Sequence, residues 1–151
     1  MLYPTLNEVE ELLKEYQMVP VFYEVLADYM TPIRIFQALR KEGTPCFMLE
    51  SVENKDQWGR YSFIGINPKS EIKISGKELE VDGVKQEEEF KMSYLSDLIE
   101  KYKSPVMEDY PKLTGGLIGY FGYDMIRQVE KKLTNVPEDD LEMPECHLCM
   151  Y

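Results

Sequence analysis

The chain has 151 residues, a formal net charge of −11, 44% hydrophobic and 12% aromatic residues. That length fits one domain burying about 68–70% of its unfolded surface. Its acidity argues against nucleic acid, whose phosphates it would repel, and against anionic membrane surfaces. No apolar run approaches the roughly 20 residues needed to cross a bilayer. Met1-Leu2-Tyr3-Pro4-Thr5 shows no basic region followed by an apolar one, so no signal peptide is visible. Three cysteines make an odd number rather than a disulfide scaffold, and a reducing cytoplasm is the simplest setting.

The elements follow in order. Thr5 and Glu8 have capping-box spacing. Val9, Leu12, Leu13 and Tyr16 repeat at i, i+3, i+4, i+7, which predicts an amphipathic helix over 7–17. Val19 to Ala27 is β-rich, with Val21, Tyr23 and Val25 on one face. Thr31-Pro32 starts a second helix as cap and first position. Phe36 and Leu39 form its stripe, Gly43 stands at its C′ place, and Arg34 and Arg40 fall on its wet side.

Cys46-Phe47-Met48-Leu49 is a short apolar run, and Arg60 to Ile66 a second strand-like run. The polar residues 53–57 connect them. A buried strand running out into a polar loop places its last side chains at a pocket edge. There Glu50 offers a carboxylate and Ser51 a hydroxyl that donates and accepts. Trp58, Arg60, Tyr61 and Ser62 return on the other side. Such a set can hold a small zwitterion with an amine and a flat apolar part. A plain strand–loop–strand with a solvated loop is the structural alternative.

Ser70 to Ser75 alternates with period 2, as a strand with one wet face does. Gly76-Lys77 turns it into Leu79-Glu80-Val81, and Asp82-Gly83 is a hairpin signal, giving an antiparallel meander. Glu87-Glu88-Glu89 reads as a solvated face. Leu95, Leu98, Ile99 and Tyr102 predict a third helix, with Ser93 as cap. Residues 104–112 contain two prolines and read as loop. In Leu113 to Tyr123, glycines at 115, 116, 119 and 122 imply bulges or close backbone approach. They match no phosphate loop, because no Gly-Lys-Ser/Thr follows. Asp124 is placed to cap a short helix through Gln128 and Val129. Thr134 to Pro144 reads as an acidic surface loop, and Cys146 to Tyr151 as a strand. The runs 113–123 and 146–151 together are expected to present an exposed apolar face.

Other chemistry is thin. Cys146-His147-Leu148-Cys149 has C-x-x-C spacing, but a structural zinc takes four ligands and no second pair exists. Residues three apart in a strand also point to opposite faces. His147 is the only histidine and so the one ready base near neutral pH; no nucleophile motif accompanies it. Asp139, Asp140 and Glu142 are oxygen ligands of the kind calcium takes, in no defined loop. Tyr120 and Tyr123 lie beside glycines, as core aromatics or pocket walls. No catalytic constellation and no protein metal site is assembled, and the fold class is α+β: a mainly antiparallel sheet with flanking helices.

Met48-Leu49-Glu50-Ser51 resembles the Leu-Leu-Glu-Ser signature of the N-terminal domain of anthranilate synthase component I, with methionine where leucine is commoner. Trp58-Gly59-Arg60-Tyr61-Ser62-Phe63-Ile64-Gly65 is similar to that family's next block. Gly115-Gly116-Leu117-Ile118-Gly119-Tyr120-Phe121-Gly122-Tyr123-Asp124 is similar to a third. The resemblance implies one N-terminal regulatory domain over 1–151, with a chorismate-binding catalytic domain to follow. It implies conversion of chorismate and ammonia to anthranilate and pyruvate by the whole enzyme. The ammonia would come from a glutamine amidotransferase subunit, and Mg²⁺ would sit in the catalytic domain, with no cofactor here. Tryptophan would be the feedback inhibitor, held by Leu49, Glu50, Ser51, Tyr61 and Ser62. Two other readings stay open: aminodeoxychorismate synthase component I, whose N-terminal domain is similar, and a non-catalytic amino-acid-binding or assembly module.

Overall fold

The computed structural model describes residues 2–50, 61–108, 110–111, 113–130, 132–133 and 143–151. It is α+β, as expected, with antiparallel sheets and short helices. The N-terminal hairpin pairs β1 (Leu2–Tyr3) with β2 (Phe22–Tyr23). The run expected to be extended over 19–27 yields only these two paired residues. The register places Tyr3 opposite Phe22, so the next position brings in Pro4, which has no N–H to donate. Val21, which falls opposite Pro4, is 55% exposed, and Val25 is 67% exposed.

Helix α1 is Leu6–Leu12, shorter than the predicted 7–17. Glu8 accepts from the Thr5 backbone N–H at 2.8 Å and from its hydroxyl at 2.7 Å, so the expected pairing forms. Beyond Leu12 the bonds tighten to i→i+3, from Lys14 to Glu11 and from Glu15 to Leu12, as fraying helix ends do. Helix α2 is Pro32–Leu39, and the Thr31 hydroxyl accepts from the Arg34 N–H at 3.3 Å. It stops before Gly43, because Arg40 turns extended at ψ 131°. Gly43 instead takes φ +75° in the turn that follows. Arg34 and Arg40 are exposed.

β3 (Cys46–Glu50) and β4 (Ser62–Ile66) form a separate antiparallel pair. The main sheet contains β5 (Ser70–Ser75), β6 (Glu78–Val81), β7 (Val84–Lys85), β8 (Leu117–Phe121) and β9 (Cys146–Met150). Its order is β7-β6-β5-β9-β8. The predicted meander is its first half. Asp82 and Gly83 both take positive φ, 53° and 78°, as a two-residue turn of matched twist requires. The Asp82 carboxylate accepts from the Glu71 N–H at 2.8 Å and from the Ser70 hydroxyl at 3.1 Å, tying the turn to β5.

One sheet face carries the core. Ile72, Ile74, Leu79, Cys146 and Leu148 cluster there with Phe90 and Met125. Helix α3 (Ser93–Lys101) adds Leu95, with Tyr94 and Leu98 at the margin. Ile72 and Ile74 are 1% and 0% exposed, and each such side chain contributes about 1.5–3 kcal/mol on burial. Ser93 is the first helical residue rather than the cap, which falls on Met92 without a side-chain bond. A 3-10 helix covers Tyr123–Gln128. Its cap is Gly122, not Asp124, whose carboxylate pairs with Arg127 at 2.8 Å instead. The expected apolar face is only half present. β9 lies inside the sheet and is largely buried, whereas Phe121 and Tyr123 are 57% and 92% exposed.

Candidate functional site

The β3–β4 pair ends where Glu50 stands opposite Ser62 and Leu49 opposite Phe63. Period-2 alternation then sorts the predicted residues. Glu50 and Ser62 share one face, and the Ser62 hydroxyl donates to Glu50 Oε1 at 3.5 Å, the outer limit of a hydrogen bond. Leu49 shares the other face with Phe63, against which Tyr61 leans, ring centroids 5.9 Å apart. Ser51 lies outside the described residues, as do Trp58, Gly59 and Arg60 of the second block and Asp139, Asp140 and Glu142 of the acidic loop. Glu50 and Ser62 are exposed, and Leu49 and Tyr61 are 45% and 43% exposed. Among the described residues, the loop end of this pair thus carries a carboxylate and a hydroxyl on one face and half-exposed apolar groups on the other.

A second group occupies the wet face of the main sheet. Glu71 and Lys73 of β5 stand opposite Cys149 and His147 of β9, and His147 stands opposite Tyr120 of β8. His147 Nε2 lies 2.7 Å from Glu71 Oε1. Lys73 Nζ lies 3.2 Å from Glu71 and 3.7 Å from Glu80. Desolvation pushes the Glu71 carboxyl up. Hydrogen bonds from Lys73 and His147, with their charges, outweigh it and hold the group below the usual glutamate range. An ionised carboxylate only accepts, so Nε2 of His147 carries the proton in this pair. Tyr120 meets the imidazole edge-on at 6.1 Å and donates its hydroxyl to the Pro144 carbonyl at 3.0 Å. Nothing in the sequence announces this group: Glu71 and His147 are 76 residues apart, and only the strand order joins them.

Glu71 gives a test. A carboxyl with a depressed folded value contributes stability above its unfolded pKa and loses it as pH falls through the folded one. Urea midpoints should therefore drop on acidification below about pH 4.3, the ordinary glutamate value. Glu71→Gln should flatten that part of the profile; parallel wild-type and variant curves would refute the assignment.

The remaining motifs are structural. Cys146 points into the core and Cys149 to the opposite face, and burial pushes the Cys146 thiol up to about 11. Among the described residues no three His, Cys, Asp or Glu side chains are grouped to hold a metal ion. None of the helices described is long and apolar enough to cross a membrane. A cleft of about 570 Å³ between β6 and α3 is lined by Leu79, Glu87, Phe90, Lys91, Tyr94 and Asp97.

No family model matches the chain. Curated proteins do. Anthranilate synthase component 1 of Acetivibrio thermocellus is 43% identical over 97% of this chain, which spans 30% of that relative. The protein of the same name from Pseudomonas aeruginosa is 34% identical over 83% of the chain and 26% of its own length. Anthranilate synthase alpha subunit 2, chloroplastic, of Arabidopsis thaliana is 36% identical over 89% of the chain and 24% of its own length. Among solved structures, anthranilate synthase component I from Streptococcus pneumoniae TIGR4 superposes with a TM-score of 0.48 at 24% identity. That match covers 86% of this chain and 28% of the other. The chain therefore spans about 30% of the length of the first curated relative it matches.

Proposed function

From the premise that this chain is a homologue of anthranilate synthase component 1 over nearly its whole length, we propose that it is the tryptophan-sensing N-terminal portion of such an enzyme. The whole enzyme, in this reading, converts chorismate and ammonia to anthranilate and pyruvate in the cytoplasm. A partner glutamine amidotransferase supplies the ammonia. The catalytic domain and its Mg²⁺ belong to the remaining length seen in the relatives, and this chain's own residues serve regulation.

The supporting observation is the Glu50–Ser62 pair at the loop end of β3–β4, with Leu49 and Tyr61 flanking it on the reverse face. Glu50 accepts from the ligand ammonium. The long Ser62–Glu50 contact is weak enough for the hydroxyl to turn and donate to the ligand carboxylate. The indole lies along Leu49 and Tyr61, around the strand end. Ser51, next in the chain, is assigned to the ligand by the family resemblance of Met48-Leu49-Glu50-Ser51. Ligand pockets enclose most of a small molecule's surface, and these exposed residues form one wall. The opposite wall comes from the catalytic domain.

Calorimetric titration of L-tryptophan into the 151-residue chain and into a longer chain carrying the catalytic domain tests the reading. Heat saturating at one tryptophan per chain is expected in both, with tighter binding in the longer one. Absence of binding in both removes the sensing role. Anthranilate production by the longer chain then separates this enzyme from its aminodeoxychorismate-forming relative.

A further inference from the structure

Phe47 occupies the middle of β3, opposite Gly65 in the register. Its ring lies across that glycine so closely that a Cβ there would collide with it. From this position the ring meets Tyr151 edge-on, centroids 4.8 Å apart at 80°. Among the described residues this is the aromatic pair that joins the two sheets.

Tyr151 is itself well held. Its backbone N–H donates to the Gly116 carbonyl at 3.0 Å and its carbonyl accepts from the Gly116 N–H at 2.9 Å. That continues the β8–β9 ladder by one step. Burial, with the Cys149 and Cys46 thiols beside it, pushes the phenol up to about 12. Among the described residues the β3–β4 pair shares no strand ladder with the main sheet. The link 67–69 joins β4 to β5, and its Lys69 N–H donates to the Met150 carbonyl at 2.7 Å; beyond that link, side chains set how the hairpin sits on the sheet. Three residues along β3 from Phe47 stands Glu50, about 10 Å away at strand rise. Tilting the hairpin at Phe47 moves Glu50 and Ser62 together.

We propose that Phe47 is a positioning residue: by docking on Tyr151 it fixes the loop end of the hairpin, with Glu50 and Ser62, against the main sheet, and couples a ligand held there to β9. The coupling half rests on the tryptophan reading above; the docking half does not.

Backbone hydrogen exchange on the 151-residue chain tests both halves, in wild type, Phe47→Leu, Tyr151→Leu and the double variant. An edge-to-face pair contributes about 0.5–1.5 kcal/mol beyond its buried area, equivalent to about twofold to tenfold. Without ligand, amides of β3 and β4 in Phe47→Leu should exchange faster by that factor while those of β5 and β6 keep their rates. Tyr151→Leu should do the same from the other side, and reports alone if Phe47→Leu does not fold. Because both variants delete one shared contact, the double variant should exchange no faster than either single one. Additive effects, or equal acceleration throughout the main sheet, would reduce Phe47 to an ordinary core residue and overturn the proposal.

With L-tryptophan, wild type should gain protection in β3–β4 and also at Cys149 to Tyr151, whereas Phe47→Leu gains it in the hairpin alone. A gain at Cys149 to Tyr151 that persists in Phe47→Leu, or no gain there in wild type whose hairpin is protected, overturns the coupling. If tryptophan protects no amide of wild type, the sensing reading fails, and the ligand-free comparison still decides the docking.

Discussion

Gly119→Ala should unfold this protein at a markedly lower temperature than wild type. Gly119 lies in β8 opposite Leu148 of β9. A Cβ built there would collide with the His147 backbone carbonyl. Flexible side chains can step aside from such an intrusion, but a carbonyl held in a central strand cannot. Relief requires β8 to move off β9, breaking part of the ladder that runs from Leu117–Met150 to Phe121–Cys146. Overpacking costs typically 1–3 kcal/mol, and a backbone obstacle places this variant at about 3 kcal/mol. For a chain of this size that shifts the melting temperature by about 6–12 °C. Thermal unfolding followed by circular dichroism reads it directly. A variant melting with wild type would show that the approach of β8 to β9 is looser than described. Ile118→Ala, on the same strand and half-buried, provides the comparison for simple loss of side-chain packing.

The second large effect follows from the proposed tryptophan site. Glu50→Gln keeps the size of the side chain and removes its charge. Glu50 is exposed, and exposed substitutions usually alter stability by no more than about 0.5 kcal/mol. The fold should therefore be indifferent. The ammonium of a bound amino acid is not indifferent. A hydrogen bond to a charged group contributes about 1.5–3 kcal/mol, so tryptophan affinity should fall about tenfold to hundredfold. Ser51→Ala should act in the same range through the ligand's polar end. Ser62→Ala should also weaken binding, and combining it with Glu50→Gln should show non-additivity, since the two side chains touch. The measurement is calorimetric affinity alongside the melting temperature. Unaltered affinity in both Glu50→Gln and Ser51→Ala would take this strand end out of the ligand site. Affinity and melting temperature falling together would make Glu50 a structural residue.

Local chemistry makes much of the chain legible in its amino-acid order. Thr31-Pro32 starts α2 because a hydroxyl cap and a fixed φ act within one turn of helix. The β5–β6–β7 meander follows from period-2 alternation and from Asp82-Gly83, a pair that accepts positive φ. The strand at Cys46–Glu50, its return at Ser62–Ile66 and the opposite facing of Cys146 and Cys149 are readable for the same reason. Each depends on residues a few positions apart. Element ends are not readable this way. The strand expected over 19–27 shrinks to Phe22–Tyr23; on the Val21 side its partner runs into Pro4, and no local signal in 19–27 contains Pro4.

Pairing across long sequence distance is decided by the tertiary structure alone. β9 slots between β5 and β8 because its alternate residues Cys146 and Leu148 complete the apolar face begun by Ile72 and Ile74. That insertion buries a strand expected at the surface, and it brings His147 to Glu71. The sequence names Leu49, Glu50, Tyr61 and Ser62 as neighbours along the chain. Only the β3–β4 register assigns Glu50 and Ser62 to one face and Leu49 to the other. The physical reason is common to these cases. Side-chain alternation is a property of a single strand, whereas the face it serves depends on which distant strand it meets.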